Sequence, residues 1–188
     1  MVPWKRRSSR LVYRDALGLE VYDDVLEISP GRTVSYTRLE GRPFACVVPI
    51  SDDGRIVFVR NYRPPVRASL LELPGGVVEA GETPRTAARR ELEEETGYHA
   101  GELTSLGWYF PLPGRMNIRG HVFLGRRLRP GAPHPDATEN LRMVKLPVAQ
   151  TYERLRRGSF RNSSTMIGLW LAKPFVDGTP RTPASADR

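Results

Sequence analysis

The stretch Leu71–Tyr98, LELPGGVVEAGETPRTAARRELEEETGY, concentrates the side chains of this chain that are best placed to do chemistry. After the loop Pro74-Gly75-Gly76, a helix is expected with Thr83 as N-cap, Pro84 as its first residue and Gly97 as its stop. Glu93, Glu94 and Glu95 then crowd the last turn, where the helix dipole is already negative and Lys or Arg would stabilise. Glu91 lies three and four residues before Glu94 and Glu95, so these carboxylates share one face and repel by about 0.2–0.5 kcal/mol per pair. A divalent cation reverses that sign. Hard oxygen ligands clustered on a rigid element suit Mg²⁺ or Mn²⁺, a metal that keeps several waters and is shared with substrate phosphates. The competing reading of these residues alone is a solvated acidic face with Arg89 and Arg90 as local partners.

The surrounding residues favour the first reading. Counted from Gly76, the pattern is G-x5-E-x7-R-E-U-x-E-E-x-G-U, where U is a bulky apolar residue. Gly76, Glu82, Arg90, Glu91, Leu92, Glu94, Glu95, Gly97 and Tyr98 fill all nine fixed positions within 23 residues. This spacing resembles the Nudix box. Beyond it, residues from about 20 to 172 resemble the ADP-ribose pyrophosphatase branch of that family. The shared features are Asn61-Tyr62-Arg63-Pro64, Leu71-Glu72-Leu73-Pro74-Gly75-Gly76 leading into the box, and Pro113 sixteen residues beyond Gly97. Glu139 followed by Leu141 to Pro147, then Gly158 and a terminal helix, also matches.

The resemblance implies an α/β (mixed α+β) Nudix fold, an αβα sandwich around a mixed sheet, and hydrolysis of a nucleoside diphosphate linked to X. ADP-ribose giving AMP and ribose 5-phosphate is the leading substrate, with Mg²⁺ or Mn²⁺ as cofactor. It places metal ligands at Glu91, Glu94, Glu95 and the carbonyl of Gly75, and pairs Arg90 with Glu82 so that the carboxylates point correctly. Ala88, Leu92 and Tyr98 are expected to face the core. The catalytic set it implies is Glu139, Glu94 and Arg90, with Glu139 as the base and Asp136 as the fallback. Arg63, Pro113 and Gly114 are the implied substrate contacts, and Tyr36, Arg38, Tyr62 and Trp108 remain open as the adenine platform. It further implies a homodimer formed through the N-terminal sheet. The alternatives are a GDP-mannose or ADP-glucose pyrophosphatase, a non-catalytic ADP-ribose sensor, and an RNA-processing hydrolase encouraged only by charge.

The net charge of +8 over 188 residues could point to nucleic acid. It arises largely from separate clusters at Lys5 to Arg10, Arg126 to Arg129 and Arg154 to Arg161, without interleaved aromatics. No nucleic-acid partner is expected, and the positive field serves instead to attract a phosphate-bearing small molecule. No apolar run reaches the length of a membrane span and no secretory leader is visible, so a cytoplasmic, membrane-free location is expected. The single cysteine, Cys46, lies in the apolar run Phe44 to Val48 and reads as a buried thiol.

Three divisions of the chain follow: residues 1–40 as a small antiparallel sheet, 41–176 as the Nudix hydrolase domain and 177–188 as a disordered tail. Residues 1–10 are expected to fray, followed by strands at 11–13, 19–28 and 33–39. Phe44 to Ile50 reads as a buried strand, Arg55 to Asn61 as its neighbour, and Pro64-Pro65 as extended chain. Strands at 103–110, 120–124 and 141–146 follow the box. Helices are expected from Pro147 to Arg157 and from Thr165 to Ala172, the latter capped by Ser163 or Ser164.

Overall fold

The computed structural model describes residues 3–134 and 141–178. The chain clusters into two compact units, residues 3–43 with Phe110–Arg119, and residues 44–109 with 120 onward.

In the first unit, β1 (Lys5–Arg14), β2 (Glu20–Ser29) and β3 (Arg32–Glu40) form an antiparallel sheet in chain order. Lys5–Arg10 does not fray: it pairs with Asp23–Glu27 of β2. The cause is charge complementarity between a basic and an acidic strand, seen in Arg10 with Asp23 at 3.6 Å, Arg14 with Glu20 at 2.5 Å, and Arg7 with Glu27. At the centre, buried Asp24 accepts from Arg38 Nε at 2.7 Å and from the Ser9 hydroxyl at 2.5 Å, while Arg38 lies 4.4 Å over the Tyr22 ring. Phe110–Arg119 joins this sheet through the Leu39 N–H, which donates to the Arg115 carbonyl at 2.8 Å, and through a parallel bridge between Leu39 and Met116.

The second unit contains two sheets. β4 (Phe44–Pro49), β7 (Gly75–Val77), β8 (Tyr98–Tyr109) and β9 (Gly120–Pro130) form a mixed sheet ordered β7-β4-β9-β8, in which β4 and β9 are parallel. β5 (Arg55–Arg63), β6 (Ala68–Glu72) and β10 (Arg142–Pro147) form an antiparallel sheet ordered β10-β5-β6. The apolar run of β4 is buried on both faces. Ala45 and Val47 pack with Ala87, Ala88 and Leu92 of α1 (Pro84–Thr96), whereas Cys46 and Val48 pack with Leu169 and Ala172 of α3 (Ser163–Val176). Tyr98 is partly buried against the α1 cluster. Burial raises the Cys46 thiol to about 12, so it stays protonated and unreactive at neutral pH.

Some elements differ from expectation. Pro64–Val66 forms a 3₁₀ turn with Arg67 left-handed at φ 51°, because the fixed φ of proline suits such a turn as well as extended chain. α2 spans Val148–Arg156, and α3 is capped by Asn162, whose Oδ1 accepts from the Thr165 N–H at 2.9 Å. β6 and β7 were not anticipated, since Gly75-Gly76 carries no strand signal of its own. The region expected to be a tail begins as a turn at Asp177–Gly178, and 179–188 lies outside the described residues.

Asp24→Ala would leave the Arg38 guanidinium without its main acceptor, and is expected to lower the local stability of β2 and β3 by about 2–3 kcal/mol, measured by amide hydrogen exchange. The bond from Arg38 also holds the Asp24 carboxyl below its ordinary value of 3.8. The folded value is depressed, so this stabilisation is complete above the ordinary value and is lost as pH falls through the lower folded one.

Candidate active site

Helix α1 begins as its sequence dictates. The Thr83 hydroxyl accepts from the Thr86 N–H, Pro84 occupies the first turn, and Gly97 takes φ 72° to close the helix with its N–H on the Glu93 carbonyl. This fixes the rotation that sends Ala87, Ala88 and Leu92 to the core and Glu91 and Glu95 to the edge of β7.

Glu95 is 5 % exposed, and its Oε2 accepts from the Gly75 N–H at 2.8 Å. Glu91 is 9 % exposed and stands so close to Gly76 that a Cβ built there would lie 2.3 Å from Glu91 Oε1. Gly75 is needed for a different reason: its φ is 155°, and a Cβ there would lie 2.3 Å from the Ala45 carbonyl of β4. The two glycines thus let one loop approach the neighbouring strand and the buried carboxylates together.

Arg90 organises the rest. Its Nε and one terminal nitrogen donate to Glu82 at 3.1 and 3.2 Å. The other terminal nitrogen donates to Glu91 at 2.8 Å and Glu94 at 2.9 Å, and the Val77 carbonyl accepts at 3.0 Å. These carboxylates raise the Arg90 pKa further, so its charge is permanent, and the guanidinium in turn holds Glu82 below the usual carboxylate range. Repulsion on the helix face is therefore offset within the helix itself. Glu93 turns away and pairs with His99 at 2.9 Å.

Among the described residues, no three His, Cys, Asp or Glu side chains stand together as a ready ligand set. Glu91 and Glu94 meet Arg90, whereas Glu95 meets the Gly75 backbone, so the carboxylates are divided between partners. The donors nevertheless fit a hard divalent ion. All are oxygens, two belong to buried carboxylates, and an ion arriving with a diphosphate requires only one or two carboxylates from the protein.

The other expected site residues are distributed as follows. Arg63 meets buried Glu72 through Nε at 3.1 and 3.2 Å and through a terminal nitrogen at 2.6 Å. That partner was missed, although both residues lie in the two segments that carry the family resemblance. Pro113, Gly114, Tyr36 and Arg38 belong to the first unit. There the Tyr36 hydroxyl donates to the Gly114 carbonyl, and Arg38 is committed to Asp24 and Tyr22. Arg38 is thus a structural centre of its sheet and is no longer a candidate platform. Tyr62 and Trp108 belong to the second unit and are 52 % and 37 % exposed. Asp136 and Glu139 lie outside the described residues. The chain entering that segment is held at the end of the box helix, where the His134 N–H donates to the Glu94 carbonyl at 2.9 Å. A cavity of about 760 Å³ between α2 and α3 contains no box residue.

The family model for the NUDIX domain matches residues 41–165, and the chain belongs to the Nudix family. It is a Nudix hydrolase, of a class that cleaves nucleoside diphosphate-X compounds and generally needs a divalent metal. Among particular relatives, it is 34 % identical over 110 residues to the ADP-ribose pyrophosphatase of Bacillus subtilis. That match spans 58 % of this chain and 60 % of the relative. It is 32 % identical over 160 residues to the ADP-ribose pyrophosphatase of Mycobacterium tuberculosis, covering 82 % of this chain and 76 % of the relative. A crystal structure described as an ADP compounds hydrolase matches with a TM-score of 0.83 at 26 % identity, over 95 % of this chain and 96 % of that one.

Gly76→Ala tests the close approach of loop and carboxylate. Its Cβ would meet the carboxylate end of the Glu91 side chain rather than backbone. Turnover is expected to fall at least tenfold while the melting temperature shifts by no more than a few degrees, measured by metal-dependent hydrolysis and calorimetry.

Proposed function

We propose that this protein hydrolyses the diphosphate of ADP-ribose to AMP and ribose 5-phosphate, with Mg²⁺ or Mn²⁺ as its metal. The observation that carries this reading is the convergence of buried Glu91 and Glu95 on the Gly75-Gly76 loop inside an intact box. Two relatives named as ADP-ribose pyrophosphatases support the choice of substrate.

In this reading Glu91, Glu95 and the Gly75 carbonyl hold the metal, with Glu94 as a further ligand or organiser. When bound, a divalent metal neutralises diphosphate charge and acidifies water. Arg90 holds Glu91 and Glu94 in orientation, and Arg63, itself aligned by Glu72, faces the diphosphate or the terminal ribose. Pro113 and Gly114 are the further substrate contacts that the family resemblance implies. Glu139, with Asp136 as its alternative, takes the proton from the attacking water; its support is the family pattern, which it matches in sequence as a carboxylate shortly before the run Leu141 to Pro147. The protein acts in the cytoplasm as a homodimer through its first unit. The dimer is supported by β1, whose Leu11, Val12 and Tyr13 are exposed at 42, 53 and 58 %.

A second reading, hydrolysis of other ADP-linked sugars such as ADP-glucose, is favoured by the structural neighbour, described only as acting on ADP compounds. The deciding experiment compares kcat/KM for ADP-ribose, ADP-glucose, GDP-mannose, NADH and diadenosine polyphosphates, with a capped RNA as a further substrate. ADP-ribose is expected to lead, with AMP as product and complete loss of turnover on chelation. Tight ADP-ribose binding without turnover would instead establish a sensor.

Glu95→Gln is expected to lower kcat at least a hundredfold with the fold intact by circular dichroism; near-normal turnover would remove Glu95 from the metal site. Light scattering at micromolar concentration is expected to give twice the chain mass, and a monomer would refute the dimer.

A further inference from the structure

A second cluster of charge lies on the opposite side of the β10-β5-β6 sheet from Arg63 and Glu72. On this side Val144 and Leu146 of β10, beside Phe58 and Ile56 of β5, pack into the apolar cluster that includes α3. One step further along the same row, Arg142 stands directly opposite Arg60. Directly opposed residues share a face of the sheet, and like charges there are destabilising.

A cavity of about 160 Å³ opens at this end of the row. Arg60 and Ser69 line it from the sheet, Arg154 from α2, and Ser159 and Arg161 from the link between α2 and α3. The lining contains no acidic residue. Among the described residues, no ion pair is formed by Arg60, Arg142, Arg154 or Arg161, whereas Arg156 and Arg157 of the same helix share Glu153 at 2.5 Å each. Arg161 is held by backbone instead, donating to the carbonyls of Gly158 and Phe160. Three guanidinium groups and two hydroxyls therefore surround a small polar space, with no counter-charge among the described residues that line it.

We propose that this cavity binds a phosphate dianion, either inorganic phosphate or the terminal phosphate of a small phosphomonoester. The guanidinium fork matches phosphate oxygens in pairs, and the Ser69 and Ser159 hydroxyls can supply the remaining donors. The volume corresponds to roughly five waters, which suits one phosphate and excludes a dinucleotide. An anion here removes the repulsion that Arg60, Arg142, Arg154 and Arg161 otherwise impose on the sheet edge and the helix link. No box residue lines the cavity, so the site is independent of the metal and of the hydrolytic reading.

The test is thermal unfolding of the full chain in chelator, comparing sodium phosphate, ribose 5-phosphate and AMP with sodium chloride at matched ionic strength. Phosphate is expected to raise the melting temperature saturably above chloride. A larger rise with ribose 5-phosphate or AMP than with phosphate, counting only the part lost on Arg60→Gln with Arg154→Gln, assigns the site to a phosphomonoester; an equal or smaller one assigns it to free phosphate. Arg60→Gln combined with Arg154→Gln is expected to lose that rise while keeping hydrolytic turnover within twofold of the parent. Ser69→Asp, which supplies a carboxylate to the cavity, is expected to raise the melting temperature in chloride and also to abolish the phosphate response. Equal melting in phosphate and chloride for the parent, or a phosphate response that survives both Ser69→Asp and the double substitution, would overturn the proposal.

Discussion

Arg90 is the interaction on which the candidate site depends. Three carboxylates, Glu82, Glu91 and Glu94, meet one planar guanidinium, and the Val77 carbonyl accepts from the same group. Only a fork with five donors can serve so many acceptors at once; a lysine ammonium would satisfy fewer and fix none in a plane. The consequence is that Glu91 and Glu94 are held in one alignment by a single cation in the last two turns of a helix whose dipole opposes them. A helix that would be electrostatically poor by itself becomes a rigid scaffold for an ordered array of carboxylates.

That scaffold is held by packing rather than by charge. β4 is buried on both faces, with Ala45 and Val47 toward α1 and Cys46 and Val48 toward α3. The same strand pairs with β7, and Gly75 lies so near Ala45 and Cys46 that any side chain would force the strands apart. Core and site are therefore coupled at one place. The strand that anchors the interior also fixes the backbone N–H that holds Glu95.

The many arginines serve different physical purposes, which composition alone does not separate. Those of β1 neutralise an acidic strand, Arg38 builds the interior of its sheet, and Arg90 and Arg63 orient buried carboxylates. Arg60, Arg154 and Arg161 instead surround a cavity with no acidic lining. An excess of positive charge is thus partly internal structure and partly a surface open to anions.

How much was legible without the structure follows from the range of each interaction. The N-cap, the helix stop, the box spacing and the doubly buried strand are local patterns, so Thr83, Gly97, Glu91 to Glu95 and Phe44 to Val48 could be read directly from residue order. The Glu82–Arg90 pairing was also legible, but only as what the family resemblance implies, since Glu82 precedes the helix that carries Arg90. Contacts between residues far apart in the chain were not: β1 against β2 depends on complementary charge across a register, and Glu72 meets Arg63 only once β5 and β6 pair. The same holds for Phe110–Arg119, which joins the first unit although its neighbours in sequence belong to the second. The sequence by itself determined the helix, the loop and the chemistry of their oxygens. Only tertiary structure decided which arginine meets which carboxylate, because strand register and close backbone approach depend on residues that no local pattern links.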